Sequence, residues 1–140
     1  MRRKAREYAV QALYALDLNP QPVHDFLKIF WEMNPCRESV QEYATTLIRG
    51  TVKNEKEIDA LIAAHSSNWK IDRMAVTDRN ILRLGTFELL EEPSVPSSVV
   101  INEAIEIAKK FGTTDSATFI NGVLDSIHHD LERKEPRQVS

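Results

Sequence analysis

Residue types able to do chemistry occur at several points in this sequence, and their spacing decides between readings. His128-His129-Asp130 sets two imidazoles and a carboxylate side by side, ligand types that a divalent metal accepts. On a helix, however, adjacent side chains diverge by about 100°, and no second ligand cluster completes a coordination shell. The pair therefore reads as two solvent-facing histidines near a helix end. Ser67 and Lys70 have a Ser-x-x-Lys spacing that could couple a hydroxyl to an amine base, yet nothing else of that enzyme signature is present. Gly-rich phosphate loops, His-Glu-x-x-His and nucleophile elbows are absent. Glu91-Glu92 and Glu103 with Glu106 read as solvated helix faces. The residues predict no enzyme, no cofactor and no metal.

The N-terminus is different. Arg2, Arg3, Lys4 and Arg6 place four of the 18 basic residues in the first six positions, where none of the 21 acidic residues occurs. Net charge is −3, so the rest of the chain is acidic and the charge layout is polar along the sequence. Ala5, Tyr8, Ala9, Ala12, Leu13 and Leu16 repeat at helical steps as a buried stripe. Arg3, Arg6, Glu7, Val10 and Tyr14 then fall on the outward side. Guanidinium groups with an aromatic ring further along one face suit single-stranded RNA, whose backbone takes the cations and whose bases stack on rings. The competing reading is a charged terminus that only aids solubility. On the last helix Phe119 sits at the edge of the apolar stripe, one turn after Asp115, open to either a core or a surface role.

These residues need elements to position them, and the periodicity is helical throughout. The first helix ends at Asn19, Pro20 and Pro22, and a second carries Phe26, Leu27, Ile29 and Phe30 up to Asn34-Pro35. Ser39 is a candidate N-cap for a third, which bends or breaks around Gly50 to Asn54 and continues to His65. Ser66-Ser67-Asn68 reads as a loop. Asp72 is a candidate cap for a helix to about Glu91, apolar on both sides (Met74, Ile81, Leu84, Leu89; Val76, Phe87, Leu90) and therefore central. Ser97 or Ser98 opens the next, with Gly112 as an expected left-handed C-cap, and Asp115 caps the last. Gly122 is expected to permit close helix approach, and 135–140 reads as a frayed tail. The expected fold is all-α, a compact bundle of about seven helices.

With 42% hydrophobic and 28% charged residues, the 140-residue chain has a globular balance for one core. No apolar run approaches the roughly 18 residues of a membrane span, and the basic start lacks a signal-peptide pattern. Cys36 is the single cysteine, so no internal disulfide is possible. The expected location is the cytoplasm.

Three stretches make the sequence recognisable: RRKAREYAVQALYALDL (2–18), VTDRNILRLGTFELL (76–90) and VPSSVVINEAIEIAKKFGTTDSATFINGVLDSI (95–127). In this order and spacing the chain resembles the NusB transcription antitermination family from about Arg2 to Leu131. The resemblance implies one RNA-binding domain over 1–134, made of two packed helical subdomains, about 1–66 and about 70–134. It implies binding of the boxA element of nascent ribosomal RNA jointly with the small-subunit ribosomal protein NusE, in a complex with RNA polymerase and other Nus factors. Arg2, Arg3, Lys4 and Arg6 match the family's RNA-contacting arginine-rich run, Tyr14 its downstream tyrosine, and Asp115 and Phe119 its RNA-facing positions. Asp78 matches an acidic position at the partner surface. Thr118 and Thr114 depart from the usual lysine and acidic residue. The same module also forms the N-terminal domain of some ribosomal RNA cytosine methyltransferases, but the sequence shows none of their Gly-rich or cysteine motifs. A monomer or a weak homodimer both fit the resemblance, as does a purely structural interaction module.

Overall fold

The three- and four-residue apolar steps resolve into helices separated by prolines and asparagines. The structure, a computed structural model, describes residues 2–66 and 69–134. The Ser67 of the Ser-x-x-Lys pair, Asn68 and the expected tail at 135–140 lie outside the described residues. Seven α-helices follow in order: α1 Arg2–Leu18, α2 Val23–Met33, α3 Glu38–Lys53, α4 Glu55–His65, α5 Val76–Glu91, α6 Ser97–Phe111 and α7 Ser116–Lys134. A single 3-10 turn, Ile71–Arg73, precedes α5, and no strand occurs among the described residues.

The ends at Asn19, Asn34-Pro35, Asn54 and Ser97 fall where expected, while three caps differ. Pro22 and Pro96 occupy the N-cap positions of α2 and α6, where extended backbone and a missing N–H do no harm. Ser39 does not cap α3, which begins one residue earlier at Glu38, behind Arg37. Asp72 lies in the 3-10 turn, and α5 starts behind Ala75. Asn34 and Asn54 close their helices by donating side-chain N–H groups to Phe30 O (2.9 Å) and Gly50 O (2.8 Å). Asn54 thereby makes the break between α3 and α4. Gly112 is extended (φ −97°, ψ −168°) rather than left-handed. The turn after it is tightened by Ser116, whose buried Oγ accepts the Thr113 N–H at 2.9 Å.

α5 is the central helix. Every residue from Asn80 to Leu89 is buried, and the helix packs against α1, α3, α4, α6 and α7. One apolar cluster runs through residues of all seven helices, so it spans both expected halves. Two glycines allow the closest approaches. A Cβ on Gly50 would collide with the Phe87 ring, and one on Gly85 would lie 2.9 Å from Leu124 Cδ1. Gly122, expected in this role, has no neighbour within 4 Å of such a Cβ and is exposed.

Arg79, Asn80 and Arg83 of α5 are drawn inward by carboxylate partners. Asp17, at the end of α1, accepts from Arg79 Nε (2.6 Å), Asn80 Nδ2 (2.9 Å) and Arg83 Nη1 (3.1 Å). Arg83 reaches on to Asp59 of α4 at 2.8 Å. Burial pushes the Asp17 carboxyl up, but the donors from Arg79 and Asn80 and the Arg83 charge outweigh it and hold it below the usual carboxylate range.

Two outcomes follow. Ile81→Ala and Leu84→Ala, at 1% and 3% exposure, each lower the free energy of unfolding by about 2–5 kcal/mol in chemical denaturation. A carboxyl whose folded pKa is depressed stabilises fully above its unfolded value of about 3.9, and that contribution is lost as pH falls through the folded value. Asp17→Asn therefore lowers stability at neutral pH and flattens the acid limb of a stability–pH profile; an unchanged limb assigns the acid sensitivity elsewhere.

Candidate nucleic-acid interface

Packing on more than one side of α1 changes which of its residues face solvent. Arg2, Arg3 and Lys4 are exposed, and Tyr14 is 40% exposed. Arg6, Glu7 and Val10, expected on the outward side, are buried. Arg6 is the largest correction. Its Nε and Nη2 donate to the two carboxylate oxygens of Glu88 at 2.8 and 2.9 Å, a bidentate pair in which both side chains are almost fully enclosed. Burial alone would lower the Arg6 pKa; the Glu88 hydrogen bonds and charge reverse that and raise it. Arg6 is thus a structural cation linking α1 to α5, with no free donor fork for a phosphate.

The exposed cations have looser partners. Arg3 pairs with Glu103 of α6 at 2.7 Å, which corrects the reading of Glu103 as a solvated residue. Hydrogen bonding to Arg3 is the main reason the Glu103 carboxyl sits below its ordinary range. Arg2 lies over the Tyr43 ring (4.8 Å) and Lys4 over the Tyr8 ring (5.0 Å). Glu7 is held by Lys110 at 2.9 Å. In both ion pairs the cation is exposed and the carboxylate largely enclosed.

Tyr14 sits in a groove of about 250 Å³ with Val10, Gln11, Thr77 and Phe111. A second groove, about 320 Å³, begins one residue further along α5. It is lined by Trp69, Arg73, Asp78, Asp115 and Phe119, among others. The structure therefore brings Asp78, Asp115 and Phe119 into one groove and sets Tyr14 in a separate one. Phe119 is half-buried, resting on the core while its ring meets Trp69 edge-on at 6.2 Å. It serves the core and the surface at once. Sequence reasoning missed Trp69, Arg73, Gln11 and Phe111. The missed Arg6–Glu88 pair had one signal: Glu88 interrupts the apolar run of α5 and needs a buried partner.

Of three histidines on α4 and α7, one links the two helices. His128 and His129 face Glu132 (3.9 Å) and Asp125 (3.6 Å) one turn away, and His128 is half-buried, not solvent-facing. His65, at the end of α4, bonds Ser126 Oγ (2.7 Å) and Asp130 (3.2 Å) on α7. No group of three or more potential metal ligands occurs among the described residues.

The described residues thus form an all-helical bundle that carries exposed cations at one helix start and two grooves lined in part by aromatic residues. Residues 3–129 match the NusB family, and the chain belongs to that family. A transcription antitermination protein NusB from Desulfatibacillum aliphaticivorans is 44% identical over 134 residues, covering 96% of this chain and 94% of that one. The solved NusB of T. maritima superposes with a TM-score of 0.83 at 38% identity, covering 99% of this chain and 94% of its own. A crystal structure of antitermination factors NusB and NusE in complex with dsRNA gives a TM-score of 0.83 at 32% identity, covering 92% and 96% of the two chains. No helix among the described residues is long and apolar enough to cross a membrane.

Removing one member of the enclosed pair leaves an uncompensated charge. Arg6→Ala is expected to lower stability by about 3–5 kcal/mol, whereas Arg3→Ala leaves the melting midpoint nearly unchanged. Equal, small shifts in both melts would show that the Arg6–Glu88 pair does not anchor α1.

Proposed function

We propose that this chain is a non-catalytic transcription antitermination factor that acts in the cytoplasm. It binds the boxA element of nascent ribosomal RNA together with ribosomal protein NusE and joins the RNA polymerase complex with other Nus factors. The observation that carries this reading is the gathering of Asp78, Asp115 and Phe119 into one groove, in a chain whose first helix opens on three exposed cations. Membership of a family with a member solved together with NusE and dsRNA supports the same reading.

Roles follow from position. Arg2, Arg3 and Lys4 hold the RNA backbone, with Arg3 exchanging Glu103 for a phosphate. Tyr14 and Phe119 offer ring faces to bases, and Asp115 accepts from base edges. Arg6 serves by fixing α1 rather than by touching RNA. Asp78 stands at the junction where RNA and NusE meet.

The deciding experiment is an RNA mobility shift with boxA against a scrambled oligonucleotide, with and without NusE. Preference for boxA, strengthened by NusE, is expected; equal weak binding of both RNAs under both conditions overturns the reading. Arg3→Ala with Lys4→Ala weakens binding to every RNA and flattens log K against log salt by roughly one unit per lost phosphate contact. Tyr14→Ala costs about 1–3 kcal/mol of boxA binding with the slope unchanged, because a stacked ring neutralises no phosphate. An unchanged melting midpoint in that variant separates stacking from unfolding.

A further inference from the structure

The larger groove has a composition that an RNA backbone would not choose. Two carboxylates, Asp78 and Asp115, line it against a single cation, Arg73. Phosphates are repelled by such a lining, while a base edge rich in N–H donors is attracted. An ionised carboxylate is acceptor-only. The Asp78 carboxylate is also short of donors: its Oδ1 is shut off from solvent and has no hydrogen-bond partner. A sheltered acceptor left in that state is destabilising until a donor reaches it. The carboxylate torsion of an aspartate is soft, so a modest rotation presents both oxygens to an incoming group.

The remaining walls are aromatic. Trp69 is 57% exposed and meets Phe119 edge-on, which leaves an indole face open. The volume of about 320 Å³ is at the small end of ligand sites and suits one flat ring system rather than a helix or a strand. Arg73 is exposed at the rim and has no carboxylate partner among the described residues.

Resting on the RNA-binding reading above, we propose that this groove holds one unstacked guanine, with its ring on Trp69, its Watson–Crick edge on Asp78 and its flanking phosphate at Arg73. The base identity follows from the edge. Guanine presents two adjacent donors, N1–H and the N2 amine, which match the two carboxylate oxygens. Adenine and cytosine set an acceptor nitrogen beside their amine, so one carboxylate oxygen would face a lone pair. Uracil has one N–H between two carbonyls. The groove thus adds base selection to a surface whose cations bind any sequence.

The test uses the full chain and octauridylates carrying one central guanosine, inosine, adenosine or cytidine. Guanosine is expected to bind about tenfold more tightly than adenosine or cytidine, within the range of a bidentate base contact. Inosine, which keeps N1–H but lacks the N2 amine, falls between. Asp78→Asn abolishes the preference for guanosine over adenosine and cytidine. Trp69→Ala weakens all four, and Trp69→Phe restores most of the loss. Equal affinity of the wild-type chain for the four RNAs overturns the proposal, as does a guanosine preference that survives Asp78→Asn. If Asp78→Asn instead abolishes NusE binding and keeps the base preference, the groove belongs to the protein partner. Salt-dependent octauridylate binding without guanosine preference sinks this inference alone. Failure of the wild-type chain to bind any RNA, with or without NusE, overturns the RNA-binding reading and this one with it.

Discussion

The Arg6–Glu88 pair fixes how α1 is rotated against α5, and that rotation determines which way the basic start of the chain faces. Both groups are taken out of water, which is costly for each ion alone. Two parallel N–H···O bonds at 2.8 and 2.9 Å, with Glu103 a further 3.8 Å from Arg6 Nη1, supply the compensation. A fork of this geometry tolerates little rotation. Arg2, Arg3 and Lys4 are therefore directed outward because the fourth cation of the run is turned in.

A second polar cluster holds the other end of the same helix. Asp17 gathers Arg79, Asn80 and Arg83, and Arg83 extends the connection to α4. α1 is thus pinned to the central helix near both ends, with apolar packing between. Tyr14 lies within this clamped span. The wall facing Tyr14 comes from Thr77 of α5 and Phe111 at the end of α6, and the larger groove lies between the start of α5 and the Ser116 turn. Helices place Tyr14, Asp78 and Phe119, while Trp69 and Arg73 come from the connection between α4 and α5.

The helices and the central place of α5 were legible because their apolar period is long and uninterrupted. Caps were less so. Ser39 and Asp72 have the chemistry of N-caps, but packing starts those helices elsewhere, behind Arg37 and Ala75. The outward face of α1 was misjudged because a single stripe was taken as its whole buried surface. Helices α3 and α5 both pack on α1, so Arg6, Glu7 and Val10 turn inward as well. Family resemblance pointed to Asp78, Asp115 and Phe119 separately. That they share a groove with Trp69 and Arg73 is a tertiary fact, assembled from segments up to about fifty residues apart, and no local spacing encodes it.

The place of α2 has a consequence for how the molecule opens. It packs chiefly against α1 and α3, mainly through Leu27 and a group of rings formed by Tyr8, Phe26, Phe30 and Trp31. Ile29 and Met33 remain exposed at 60% and 76%. Because α2 packs chiefly on two helices and takes no part in the ion pairs of Arg6 and Asp17, its opening is expected to leave the clamp between α1 and α5 in place. Amide protons of α2 then exchange with solvent through local excursions, while those of Asn80 to Leu89 wait for global unfolding. The bundle accordingly has a graded interior: an outer helix that breathes, and an inner one that releases its protons only when everything else has let go.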